Sequence, residues 1–120
     1  MKLLIVDDVQ EYLNSLSRAL KSEYETITAA SFEEAKQKMS AEINLALVDV
    51  RLSEEDPANR DGILLLGWLH ERFPNVPVVM MSAYRDWDAA TDAVNLGAVH
   101  YLKKPINLQE LKEVIRTHAK

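Results

Sequence analysis

Four short apolar runs stand out in this chain, most of them continuous rather than alternating: KLLIV (2–6), LALV (45–48), VPVVMM (76–81) and VHYL (99–102). A strand with one face in water alternates apolar and polar residues, so continuous runs of this length predict strands covered on both faces, as in a parallel sheet. A weaker β-prone stretch, YETITA at 24–29, predicts a fifth strand. The segments between them carry helical periodicity. Val9, Leu13, Leu16 and Leu20 share one face, as do Leu108, Leu111 and Ile115 near the C-terminus. Capping-box patterns at Asp8–Glu11, Ser31–Glu34 and Asn107–Glu110 predict helix starts, and Gly97 is placed to end a helix at its C′ position. The alternation of strand and helix therefore predicts five βα units in a single α/β domain over residues 1–120, built on a central parallel sheet.

Composition narrows the functional classes. With 48% hydrophobic and 28% charged residues the chain has material for a real core. A net charge of −5, with Lys and Arg scattered, argues against direct nucleic-acid binding. Cysteine is absent, which excludes disulfides and thiolate metal sites. Asp7 and Asp8 interrupt the opening apolar stretch too early for an export signal, and no run is long enough to span a bilayer. The expectation is a cytoplasmic protein with no membrane partner.

In open α/β sheets ligands bind outside the carboxyl ends of the strands. The residues that follow the apolar runs are Asp7-Asp8, Asp49, Ser82 and, two residues on, Lys104-Pro105; the second strand alone ends blandly in Ala29-Ala30. Taken singly each has a dull reading: Asp8 as a helix cap with Glu11, Asp49 in a turn, Ser82 and Lys104 in solvated loops. Taken together, four of five strands would have to deliver such groups to one edge by accident. Clustered carboxylates without His or Cys are hard oxygen ligands for Mg²⁺, Mn²⁺ or Ca²⁺, and a few carboxylates with retained waters suit Mg²⁺ best. Such a cation would neutralise phosphoryl oxygens and leave Asp49 free to act as a nucleophile, with Lys104 and Ser82 holding the other oxygens. The implied product is an acyl phosphate on Asp49.

The motifs LLIVDD, LALVDVRL, VVMMSAY and YLKKPI resemble, in order and nearly in spacing, the receiver domains of two-component response regulators, and the resemblance covers essentially the whole chain. It implies a flavodoxin-like (βα)5 fold with strand order 2-1-3-4-5 and helices on both faces. It implies Mg²⁺ held by Asp7 or Asp8, Asp49 and the backbone carbonyl of Arg51, and phosphoryl transfer to Asp49 from a histidine kinase or phosphotransfer protein. It further implies a cis Lys104-Pro105 peptide, movement of Ser82 toward the phosphoryl group, and Tyr101 as an aromatic switch that follows Ser82 inward. An effector domain or downstream protein would read the result, and a phosphorylation-dependent homodimer is compatible with it. One departure stands out. Ser53 takes the place where the family often has proline, and SEEDPANR (53–60) delays Asp61-Gly62 by about five residues, which predicts an exposed, mobile loop beside the pocket.

Other features carry less. Gly62 and Gly67 have phosphate-loop spacing, but Trp68 stands where lysine should follow. His70, His100 and His118 lack ligand spacing and read as surface or packing residues. Tyr84 and Trp87 fall in or just after the fourth βα loop, where they would face a partner or pack on the helix. Two rival functions are an aspartyl-phosphate phosphatase, which commonly needs Asp-x-Asp on the first strand, and a receiver-like module that takes no phosphate, against which Asp49, Ser82 and Lys104 argue.

Overall fold

A computed structural model describes residues 1–53, 55–83, 92–93 and 95–120. Its elements in chain order are β1 (Lys2–Val6), α1 (Gln10–Leu20), β2 (Glu25–Ala29), α2 (Phe32–Lys38), β3 (Leu45–Asp49), α3 (Asp61–Arg72), β4 (Val78–Ser82), β5 (His100–Lys103) and α4 (Leu108–His118). The five strands form one parallel sheet in the order β2-β1-β3-β4-β5. The fold is therefore the expected one. Most of the connection between β4 and β5, with Tyr84 and Trp87, lies outside the described residues.

Why the strand runs do not alternate is visible in the packing. Leu4 and Val6, Ala46 and Val48, and Val78 and Met80 face one core, which α2 and α3 close with Ala35, Leu65, Leu66 and Leu69. Their neighbours Leu3, Ile5, Leu45, Leu47, Val79 and Met81 face a second core, closed by Leu13, Leu16 and Leu20 of α1 and by Leu111, Val114 and Ile115 of α4. The inner strands β1, β3 and β4 are apolar along nearly their whole length because both faces of the sheet are covered there. The two edge strands depart from this: β2 is half-exposed along most of its length, and in β5 Leu102 alone is buried.

The helix boundaries follow local chemistry, with two corrections. Ser31 Oγ accepts from Glu34 N and Asn107 Oδ1 from Glu110 N, so those caps are as expected. Asp8 does not cap α1. That helix begins one residue later, with Val9 at the N-cap and no side-chain cap, because Asp7 Oδ1 takes the Val9 N–H at 2.9 Å and turns the chain off the strand. Leu108 is 38% exposed rather than in the apolar stripe of α4; as the first helical residue it precedes the buried face, which Leu111, Val114 and Ile115 make. Gly97 closes a helical end as expected. It has φ 101°, Ala98 N donates to Ala93 O, and the His70 ring stands 2.8 Å from where a Cβ would be.

Candidate functional site

Parallel strands bring their carboxyl ends to one edge, and the polar residues gather there. Asp7 follows β1, its N–H donating to Ala29 O at 3.1 Å, and Asp49 is the last residue of β3, paired with Met81. Ser82 ends β4, and its carbonyl accepts from Lys104 N at 2.7 Å, which fixes Lys104 just past β5. Lys104 Nζ then reaches back across the edge to Asp7 Oδ2 at 2.7 Å and Asp49 Oδ2 at 2.8 Å. The Lys104-Pro105 peptide is cis.

Asp7, Asp8 and Asp49 each turn an oxygen into one cluster, with those oxygens within 4.8 Å of one another. Asp7 is fully buried and Asp49 is 6% exposed, while Asp8 is half-buried at the rim. Among the described residues no other group of three offers such a set, and the three histidines contribute none: His70 packs on Gly97 and the His100 and His118 rings lie 6.3 Å apart. An all-oxygen donor set of this kind fits a hard divalent cation such as Mg²⁺.

The electrostatics single out Asp49. Burial is the largest influence on it and, with the neighbouring Asp7, raises its pKa to about 7; Lys104 and the Arg51 backbone N–H oppose the rise. Burial disfavours the Lys104 charge, but Asp49 and Asp7 outweigh that and hold its pKa above the usual lysine value. Burial first, and the neighbouring Asp7 after it, thus make the Asp49 carboxyl reluctant to ionise in spite of Lys104.

Ser82 is buried, and a buried hydroxyl needs a partner. It has one in the Tyr101 hydroxyl. The sequence reading has Tyr101 moving in to Ser82 on phosphorylation; here the two are already joined, with Tyr101 half-buried against the core. Arg51, expected to offer its carbonyl to a cation, is buried two residues beyond Asp49, and its backbone N–H is among the groups that oppose the rise in the Asp49 pKa.

The connection from β3 to α3 starts buried at Val50, Arg51 and Leu52, and its inserted part is on the surface as expected, with Glu55, Asp56, Pro57 and Ala58 exposed. What the sequence did not foresee is its anchor. Asn59 Oδ1 accepts from both Leu52 N and Asp61 N at 3.0 Å, tying the two ends of the loop together next to Asp49. Asn59→Ala removes that acceptor from two backbone donors and is expected to cost about 1–2 kcal/mol, with faster amide exchange at Leu52 and Asp61. Unchanged exchange at both amides would contradict the anchor.

Gly62 is a second residue whose importance sequence spacing concealed. A Cβ there would lie 1.8 Å from the Asp49 carbonyl oxygen, so the start of α3 is seated directly on the strand end that carries Asp49. Its N–H donates to Val50 O at 2.9 Å.

This sheet, with an acid cluster and a lysine at its carboxyl edge, defines a receiver-type α/β domain. The chain belongs to the response regulator receiver domain family, whose model matches residues 3–116. It is 33% identical over 118 residues, 97% of its length, to the response regulator protein PilR of Pseudomonas aeruginosa, and 35% identical over 111 residues, 92% of its length, to the DNA-binding transcriptional regulator NtrC of Proteus hauseri. It spans 25% and 23% of those two proteins. Among solved structures it resembles a CheY-like receiver domain protein from Methanospirillum hungatei (32% identity, TM-score 0.83, covering 97% of this chain and 90% of that one). It also resembles the receiver domain of NtrX from Brucella abortus (27% identity, TM-score 0.84, covering 97% and 96%). No helix among the described residues is long and apolar enough to cross a membrane.

Proposed function

We propose that this receiver domain accepts a phosphoryl group on Asp49 from the phosphohistidine of a histidine kinase or phosphotransfer protein, in the cytoplasm, and so switches a surface read by an effector. The observation that carries the reading is the buried Asp49 carboxylate at the sheet edge, bonded to Lys104 and within 4.8 Å of two further acids. In the transfer an Asp49 oxygen attacks phosphorus, the new O–P bond forms as the N–P bond of the phosphohistidine breaks, and the electron pair leaves on the imidazole nitrogen. Hydrolysis later releases inorganic phosphate and restores the carboxylate.

Asp7, Asp8, Asp49 and the Arg51 carbonyl are the groups that would hold Mg²⁺, which when bound supplies Lewis-acid neutralisation of phosphoryl oxygens. The chain's own residues do the rest. Lys104, already between Asp7 and Asp49, exchanges a carboxylate oxygen for a phosphoryl oxygen with little movement. A serine hydroxyl donates one hydrogen bond and accepts two, so Ser82 can donate to the phosphoryl group while accepting from Tyr101. Phosphorylation then acts on a Ser82–Tyr101 pair that is already made, shifting its population rather than assembling it.

Ser82→Ala is accordingly expected to leave phosphorylation of Asp49 intact and to abolish the phosphorylation-dependent NMR shift of Tyr101. A full Tyr101 response in that variant would remove Ser82 from the switch. The function itself is tested by transfer from autophosphorylated histidine kinases: label is expected to move from kinase to this chain when Mg²⁺ is present, and not to Asp49→Asn. Equal labelling of that variant would refute the assignment.

A further inference from the structure

Tyr12 carries the furthest inference. It lies in the first turn of α1, outside the stripe Leu13, Leu16 and Leu20, and its ring sits under Lys104 with Nζ 4.4 Å from the ring centroid. The Lys104 ammonium therefore has Asp7 and Asp49 as hydrogen-bond partners and the Tyr12 ring as a third neighbour. The ring packs against the core shared by α1 and α4, while the buried Tyr12 Oη makes no well-formed hydrogen bond with the described residues and has only the Ile106 backbone N–H as a neighbouring donor. A hydroxyl so poorly served gains little from burial, so the contact that favours this placement is that of the ring with Lys104 and the core.

We propose that Tyr12 is a positioning residue for Lys104, an inference that rests on the phosphoryl-accepting function above. The ring attracts the ammonium through its quadrupole without occupying any of its three N–H donors and without adding charge to the acid pocket. A carboxylate in that place would compete with Asp7 and Asp49 for the ammonium. An aliphatic side chain would let it swing outward, since Lys104 is still 21% exposed. Held against the ring, Nζ keeps its donors directed at the carboxylates and, after transfer, at a phosphoryl oxygen.

The test compares Tyr12→Phe, which keeps the ring, with Tyr12→Leu, which keeps apolar bulk alone, each assayed for beryllofluoride affinity in Mg²⁺ and for initial phosphorylation rate with acetyl phosphate. Tyr12→Phe is expected to match the parent within about twofold, and Tyr12→Leu to weaken both by on the order of tenfold, the worth of a partly desolvated cation–π contact. In the metal-free protein the Lys104 ε-methylene protons should be shifted upfield by ring current in the parent and in Tyr12→Phe, and not in Tyr12→Leu. Because Tyr12→Leu also alters packing, a second series places phenylalanines of increasing fluorination at position 12. Shape is then nearly constant while the quadrupole fades, and a stepwise fall in beryllofluoride affinity is expected. Affinity independent of fluorination, or parental affinity in Tyr12→Leu, overturns the proposal. Lys104→Met separates the two layers: if it binds beryllofluoride as the parent does, the proposed role of Lys104 in phosphoryl binding fails first, and this inference with it.

Discussion

Gly62→Ala is expected to destabilise the protein by about 3 kcal/mol or more, at the upper end of overpacking costs. In an ordinary helix the same change stabilises by about 0.5–1 kcal/mol, because alanine loses less backbone freedom on folding. Contact reverses the sign here. The added Cβ would meet the Asp49 carbonyl oxygen at 1.8 Å and the Val50 carbonyl oxygen at 2.7 Å, both backbone atoms that no rotamer change can move aside. The helix cannot simply withdraw, since the Gly62 N–H is bonded to Val50 O and Leu65, Leu66 and Leu69 are buried behind it. Gly67→Ala is the control. Its Cβ would meet nothing within 4 Å, so a small gain is expected there. Urea unfolding midpoints of the two variants decide the matter, and a Gly62→Ala protein as stable as the parent would mean that α3 does not seat on the Asp49 strand end.

The second large effect is the pH dependence that Asp49 imposes. Its pKa lies at about 7 in the folded protein against an ordinary 3.8, so between those values the native state binds the extra proton. Stability therefore falls as pH rises from about 4 to about 7 and levels off above, by a few kcal/mol in all. Asp49→Asn removes the titration. Its stability curve is expected to lack this decline and to lie above the parent near neutral pH, with Lys104 retaining Asp7 as a partner. Other acids titrate in the same range, so the difference between the two curves is the quantity to read. Mg²⁺ binding only the native state should raise the parent's melting temperature above pH 7, and less so that of Asp49→Asn. Parallel curves for the two proteins would contradict the burial of Asp49 among like charges.

The contrast between what was legible in the sequence and what was not has physical reasons. Leu3 to Val6 could be read as a doubly covered strand because both parities are apolar, and the alternation of such runs with helical segments, which makes the strands parallel, placed Asp7, Asp49, Ser82 and Lys104 at one sheet edge. The Ser31 and Asn107 caps were legible because a cap is a contact between near neighbours in sequence. Asp8 matched the same pattern and failed, because the helix starts one residue later, with Val9 rather than Asp8 at the N-cap, after Asp7 has turned the chain through the Val9 N–H. Gly62 was visible only as half of an irrelevant glycine spacing, since its meaning is a close approach to Asp49 that no local pattern encodes. Asn59 was hidden in a polar loop where any residue could have been the anchor. Tyr12 fell outside the apolar stripe of α1, and its contact with Lys104 exists only once the two ends of the chain meet across the sheet.

The central claim, that Asp49 takes the phosphoryl group, is tested most directly by trapping. An acyl phosphate is reduced by borohydride to the alcohol, which converts the phosphorylated aspartate to homoserine and marks its position in a peptide map. After incubation with Mg²⁺ and acetyl phosphate, homoserine is expected at position 49 and nowhere else, and at no position when Mg²⁺ is chelated. Homoserine at position 7 or 8, or its appearance at 49 to the same extent without the metal, would contradict the account.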